Sequence, residues 1–137
     1  MNVQELNELM AISSNDAIAY LKETHQQYIT KTPEALSTID IILTKLAIEH
    51  LHTPLSDEDL FTICTIFGAF VGELFKENVG GEWYMDTAIE YAPYVVLNYA
   101  GKSYPFASIC FEKITTTPEV SLAKYYTLAC CGGVSLS

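Results

Sequence analysis

The sequence predicts an α+β protein, with about six helices packed around a central apolar helix over residues 56–79 and a small antiparallel sheet of two or three strands over 82–104. Three observations carry this prediction. Residues 60–75 are apolar on nearly every side, as a helix enclosed by others must be. Aromatic and β-branched residues concentrate at 82–85 and 94–99, as strands prefer. Elsewhere the chain is punctuated by helix-start signals made of a hydroxyl or amide, a proline and an acid.

The elements follow in order. Asn2 with Glu5 three residues on forms a capping-box pattern, with Val3, Leu6, Leu9 and Met10 behind it. Ser13-Ser14 then suggest a break before a second helix whose inner face is Ala17, Ile18, Leu21, His25 and Tyr28. Thr32-Pro33-Glu34 predicts a third start, followed by Leu36, Ile39, Leu43, Leu46, Ala47 and His50, with Pro54 ending the run. Ser56-Asp57-Glu58-Asp59 opens the central helix, in which Leu60, Phe61, Ile63, Cys64, Ile66, Phe67, Phe70, Val71, Leu74 and Phe75 are the apolar positions, and Gly80-Gly81 stops it. Glu82-Trp83-Tyr84-Met85 and Tyr94 to Tyr99 read as strands, and Ala100-Gly101-Lys102 turns the chain into a short third strand at Ser103-Tyr104. Pro105 opens a helix with Phe106, Ile109, Cys110 and Ile114 inward, and Thr117-Pro118-Glu119 opens a last one that runs to Gly132-Gly133.

Length and composition bound the function. A chain of 137 residues is the size of one domain, expected to span 1–137. Half of the residues are apolar and the formal net charge is −10, with seven lysines and no arginine. Nucleic acid and anionic membrane surfaces are held by cationic clusters, so neither is expected as a partner. The acids are uneven: residues 1–59 hold ten against three lysines, and residues 60–137 hold seven against four. The N-terminus has no basic start or continuous apolar core, and the Leu60–Gly72 stretch is too short to span a bilayer. Cys64 and Cys110 lie in apolar runs and Cys130-Cys131 are sequence neighbours, so a reducing cytoplasm is the expected compartment.

Several residues invite a chemical role. Gly68 and Gly72 lie four apart on one helix face and admit the close approach of another element, and Trp83, the lone tryptophan, is expected against that face. Glu73 sits in a helix nearly free of charge and must either reach water or meet a donor. It reads as a packing residue bonded to backbone N–H groups, or as an acid or base in a pocket walled by Trp83 and tyrosines. Tyr84, Tyr91, Tyr94, Tyr99 and Tyr104 crowd the hairpin region, and Tyr94 and Tyr99, with Asp57, Glu58 and Asp59, are candidates for contact with a partner.

His50-Leu51-His52 before the acids at 57–59 hints at a metal, but residues two apart on a helix diverge, so no metal and no cofactor is expected. His25 reads as a core histidine and Cys130-Cys131 as small residues closing a helix. No G-x-S-x-G elbow is present, and Gly80-Gly81 follows a helix where a phosphate loop precedes one. No residue is therefore assigned to catalysis.

Phe67-Gly68-Ala69-Phe70-Val71-Gly72-Glu73, then Gly80-Gly81-Glu82-Trp83 and Pro105-Phe106, resembles a pattern in small uncharacterised bacterial domains. There, a G-A-aromatic-x-G-E helix precedes G-G-x-W, a hairpin and a Pro-Phe helix start. The resemblance covers about residues 60 to 115. It implies a domain without established catalysis, in a group where some members look like immunity or accessory proteins of toxin systems. The expectation is thus a non-catalytic cytoplasmic interaction domain with an acidic surface and a basic protein partner, such as a toxin domain. The alternatives are a small enzyme or ligand binder around Glu73 and Trp83, and a subunit that assembles through its tyrosine-rich sheet edge.

Overall fold

The computed structural model describes residues 1–87 and 94–132. Among these the fold is α+β, with five helices and one three-stranded sheet: α1 (Val3–His25), α2 (Ala35–His52), α3 (Asp57–Asn78), β1 (Glu82–Asp86), β2 (Tyr94–Tyr99), β3 (Lys102–Tyr104), α4 (Phe106–Thr115) and α5 (Leu122–Cys130). Tyr91, Gly133 and the side chain of Tyr94 lie outside the described residues.

The expected break at Ser13-Ser14 does not occur, which is why there are five helices and not about six. α1 runs through both serines, which are buried along with Leu6, Met10, Ala17 and Leu21 on one continuous stripe. Serine competes with helical bonding mainly where water or a turn receives its hydroxyl, and here burial on the packed face of α1 overrides that preference. The capping box at the start is complete: Asn2 Oδ1 accepts from the Glu5 N–H at 2.8 Å, and Glu5 Oε1 from the Asn2 N–H at 2.9 Å. Gln26, at φ 55°, ends the helix. Tyr28 lies beyond that end and is 76% exposed, not part of the inner face.

Both Thr-Pro-Glu segments make turns and not the first turn of a helix. The Ala35 N–H reaches Thr32 O at 3.1 Å, and α2 begins at Ala35 with no side-chain cap. The Val120 N–H reaches Thr117 O at 3.1 Å, and α5 starts later, where Ser121 Oγ accepts from the Lys124 N–H at 3.1 Å. A carboxylate from α2 decides the second case: Asp40 accepts the N–H groups of Leu122 at 2.7 Å and Ala123 at 3.0 Å, so the free donors of that helix end are satisfied at Leu122. Buried Lys113 lies 3.7 Å from Asp40 and donates to the carbonyls of Pro118 (2.8 Å) and Val120 (2.5 Å), pinning the turn from below.

α3 is the enclosed rod that the apolar run demands. Ser56 caps it through the Asp59 N–H at 3.1 Å, and it is packed by α1, α4 and α5. Phe67, Phe70, Val71, Leu74 and Phe75 are buried. Phe75 is the aromatic hub, with the rings of Tyr104, Tyr99, Phe106 and Tyr126 centred 5.2, 5.7, 5.9 and 6.4 Å away. Phe61 departs from the expected inward set and is 69% exposed.

Gly80 and Gly81, at φ 132° and 112°, let the chain leave α3 and enter β1. The strands form an antiparallel meander, β1-β2-β3, with Trp83 opposite Leu97 and Tyr99 opposite Lys102. Trp83, Met85, Val95 and Leu97 face the core, while Tyr84 on the opposite face is 51% exposed. Ala100 and Gly101 both have positive φ (52° and 78°), as a two-residue type I′ hairpin requires.

Candidate functional site

The two glycines of α3 accommodate different neighbours. A Cβ on Gly72 would lie 2.0 Å from Cη2 and 2.4 Å from Cζ2 of Trp83, so the indole occupies the space that a side chain would fill. A Cβ on Gly68 would instead lie 2.6 Å from the Cα of Ala107. The notch at Gly68 therefore receives the first turn of α4, and the expectation that the indole covers both glycines holds for Gly72 as the close contact. Small residues four apart let two different elements meet the same rod at van der Waals distance.

Glu73 is half-buried, and its Oε2 accepts the indole N–H of Trp83 at 2.8 Å. The carboxylate thus meets a side-chain donor from the next element and not the backbone N–H groups expected of it. The bond satisfies the lone indole donor of a nearly buried ring and fixes the ring over Gly72. Glu73 is committed to this contact, and among the described residues no histidine or lysine lines the cavity beside Trp83.

That cavity is the second lobe of a trough on the surface between α3 and α4. The first lobe, about 440 Å³, is lined by Asp57, Leu60, Phe61, Cys64, Thr65, Ala107, Ser108 and Phe111. The second, about 320 Å³, is bordered by Phe61, Thr65, Gly68 and Ala107, with Leu9 and Met10 of α1 and Trp83, Met85 and Val95 of the sheet. Phe61, Thr65 and Ala107 belong to both lobes. Phe111 on α4 is 49% exposed and lines the first lobe together with the 69% exposed Phe61 of α3. Two large aromatic rings presented at the lips of one depression form a contiguous apolar surface, unlike a scatter of single exposed residues.

Among the described residues the polar groups in the trough are few: the hydroxyls of Thr65 and Ser108, and the carboxylate of Asp57 at one end. Asp57, Glu58 and Asp59 are all exposed in the first turn of α3. There they complement the positive end of the helix; Asp57 lines the outer lobe and gives it a negative margin, whereas Asp59 lines a separate depression with Tyr20, Leu55 and Ile66. Of the other candidates, Tyr99 is in part committed to the interior, its ring edge against Phe75 and over Gly80. For Tyr94 the structure gives the strand register, opposite Asp86.

The remaining titratable groups have local explanations. His50 Nδ1 accepts the Leu55 N–H at 3.0 Å and so shapes the α2–α3 connection. His25 Nε2 pairs with the Tyr20 hydroxyl at 3.0 Å, while its buried Nδ1 has no hydrogen-bond partner among the described residues. Burial, with Lys45 adding to it, pushes the His25 pKa below the usual imidazole range. Burial pushes the Cys64 thiol up to about 12, and Cys110 well above its usual value. All four cysteines are free. Among the described residues no three His, Cys, Asp or Glu side chains gather as metal ligands, and no helix is long and apolar enough to cross a membrane.

Sequence reasoning missed the trough because it placed Phe61 inward. The signal was present: Asp57, Phe61, Thr65 and Gly68 fall at helical spacing and form a stripe broken by a hydroxyl and a glycine, against which Ala107 and Phe111 stand four apart on α4. No family model, curated protein or solved structure matches the chain.

Proposed function

We propose that this protein is a non-catalytic interaction domain that binds a basic protein partner. The observation that carries the reading is the α3–α4 trough, where Phe61 and Phe111 stand exposed on apolar walls beside the acidic turn 57–59. Apolar surface next to like-signed charge favours a partner of opposite charge, because charge steers the encounter while apolar burial holds the complex. A net charge of −10 without arginine supports the same choice. The commitment of Glu73 to the indole weighs against the enzymatic alternative, which needed that carboxylate as its acid or base. The resemblance to bacterial domains accessory to toxin systems makes a toxin domain a fitting partner, and the free cysteines suit a reducing cytoplasm.

The test is coexpression with the product of the adjacent gene, followed by calorimetric titration of the purified pair. A complex is expected whose affinity falls on raising sodium chloride from about 50 to about 500 mM, and falls again when Asp57, Glu58 and Asp59 become Asn, Gln and Asn. Absence of a complex, or affinity indifferent to both changes, overturns the reading. The ligand-binding alternative draws on the 320 Å³ lobe beside Trp83. Saturable quenching of Trp83 by naphthalene, independent of salt and without any protein complex, would favour it.

A further inference from the structure

The trough carries more than a general capacity for contact. On α3 its lining runs along one stripe, Asp57, Phe61, Thr65 and Gly68, three turns and about 16 Å long at 1.5 Å per residue. Its two lobes share Phe61, Thr65 and Ala107 as a saddle and are offset along the helix by about one turn, roughly 5 Å. Along the axis of α3 that offset is about the rise between side chains at i and i+4 on a second helix lying beside it. Among the described residues the outer lobe has a carboxylate at its end and the inner lobe has none. The inner lobe, of about 320 Å³, is walled by Met10, Met85 and Trp83, and flexible methionines adapt to bulky apolar groups.

From this we infer that the trough between α3 and α4 docks an amphipathic α-helix of a basic partner, seating two bulky apolar side chains four residues apart in its two lobes, with the cationic end of that helix over Asp57 at the start of α3. The inference rests on the protein-interaction reading above and adds the secondary structure, anchor spacing and polarity of the bound segment. Helix-in-groove recognition puts the affinity in the apolar anchors and the orientation in the terminal charges. Here the anchor at the acidic end fills the lobe of Leu60, Phe61 and Phe111, and the other reaches Gly68 and Trp83. A second copy of this chain is a poor occupant, because it too carries a charge of −10.

The probe is a synthetic, tryptophan-free helical peptide of about 14 residues, with two leucines at i and i+4 on one face and lysines at one end. Trp83 lines the inner lobe and is the lone tryptophan, so its fluorescence reports occupancy directly. The i, i+4 peptide is expected to bind about tenfold tighter than an isomer with leucines at i and i+2, and to weaken by about tenfold with the protein variant Phe61→Asp. Because Phe61 and Ser108 are both exposed, Phe61→Asp and a second blocking variant, Ser108→Arg, test opposite walls without opening the core, and unchanged thermal melts confirm that each is folded. Replacing the lysines with glutamates is expected to weaken binding by about tenfold or more. Equal binding of the two leucine isomers, or indifference to both variants, overturns the inference. If the adjacent-gene complex forms and survives Phe61→Asp and Ser108→Arg, the interaction reading stands and the helix-in-trough inference falls. If the peptide binds as expected and no protein complex forms, the trough is a helix groove and the reading of the partner is what fails.

Discussion

The indole N–H of Trp83 donates to Oε2 of Glu73 at 2.8 Å, while the far edge of the same ring fills the space left by the missing side chain of Gly72. One bond and one notch thereby lock the first strand onto the central helix, and the wall of the inner lobe is set by that lock. A half-buried carboxylate, a ring and a glycine form a single device, so each has a predictable response to substitution.

Trp83→Phe removes the donor and leaves a half-buried carboxylate facing a ring edge, which is expected to cost about 2 kcal/mol in urea unfolding. Glu73→Gln keeps an acceptor in place and is expected to cost about 1 kcal/mol. In a double-mutant cycle the two are expected to couple by about 1 kcal/mol. A coupling energy of zero would show that the bond does not hold the strand. Loss of an activity by Glu73→Gln at unchanged stability would reverse the assignment of this residue to packing.

Alanine at either glycine gains helix propensity of about 1 kcal/mol and loses more to overlap. Gly72→Ala is expected to displace the indole, shifting the emission of Trp83 to the red and destabilising the protein by about 1–3 kcal/mol. Gly68→Ala meets backbone, with the Ala107 Cα at 2.6 Å, and a helix moves less readily than a ring, so it is expected to be the more damaging change. Equal stability of both variants and the parent protein would refute the close approaches.

Ala100 holds a positive φ of 52° in the β2–β3 turn, a conformation that costs a residue with a Cβ about 1 kcal/mol. Ala100→Asn makes the pair Asn-Gly, the preferred type I′ sequence, and is expected to raise stability by about 0.5–1 kcal/mol with no change in Trp83 fluorescence. A loss of stability on this substitution would contradict the turn type.

His25 supplies a pH dependence of known sign. Its folded pKa is depressed, chiefly by burial, so the unfolded chain binds the proton more readily. Stability from this group is present above the unfolded value near 6.5 and declines as pH falls below it toward the lower folded value. Urea midpoints measured at about pH 7.5 and 5.5 are expected to fall at the lower pH, and His25→Gln is expected to remove much of that difference. An unchanged difference in the variant would exclude His25 as its source.

Thiol labelling separates the cysteines. Cys131 is exposed and Cys130 half-buried at the end of α5, whereas Cys64, pushed up to about 12, and Cys110 are buried. Native protein is expected to expose fast-reacting thiols only at 130 and 131, with 64 and 110 reacting on unfolding. Rapid labelling of Cys110 in the native protein would mean that α4 opens from α3.

Sequence alone determined the α+β class, the enclosed helix at 57–78, the capping box at Asn2 and Glu5, the glycine exit at 80–81 and the three-strand segment, because each follows from neighbours within a few residues or from a periodic apolar pattern. Tertiary structure decided the rest. α1 runs through Ser13-Ser14, which are buried on its packed stripe, and α5 begins at Leu122 because Asp40, on a different helix, reaches its free N–H groups. Glu73 bonds an indole from the following strand, and Gly68 admits α4 while Gly72 admits Trp83. The trough exists because Phe61 turns outward beside Phe111, a residue fifty positions away in the chain. Local pattern dictates where helices and strands form, since backbone hydrogen bonds and side-chain periodicity are short-range. Which polar group meets which, and which apolar side chains are left uncovered, depends on how those elements pack, and that is long-range information no window of residues contains.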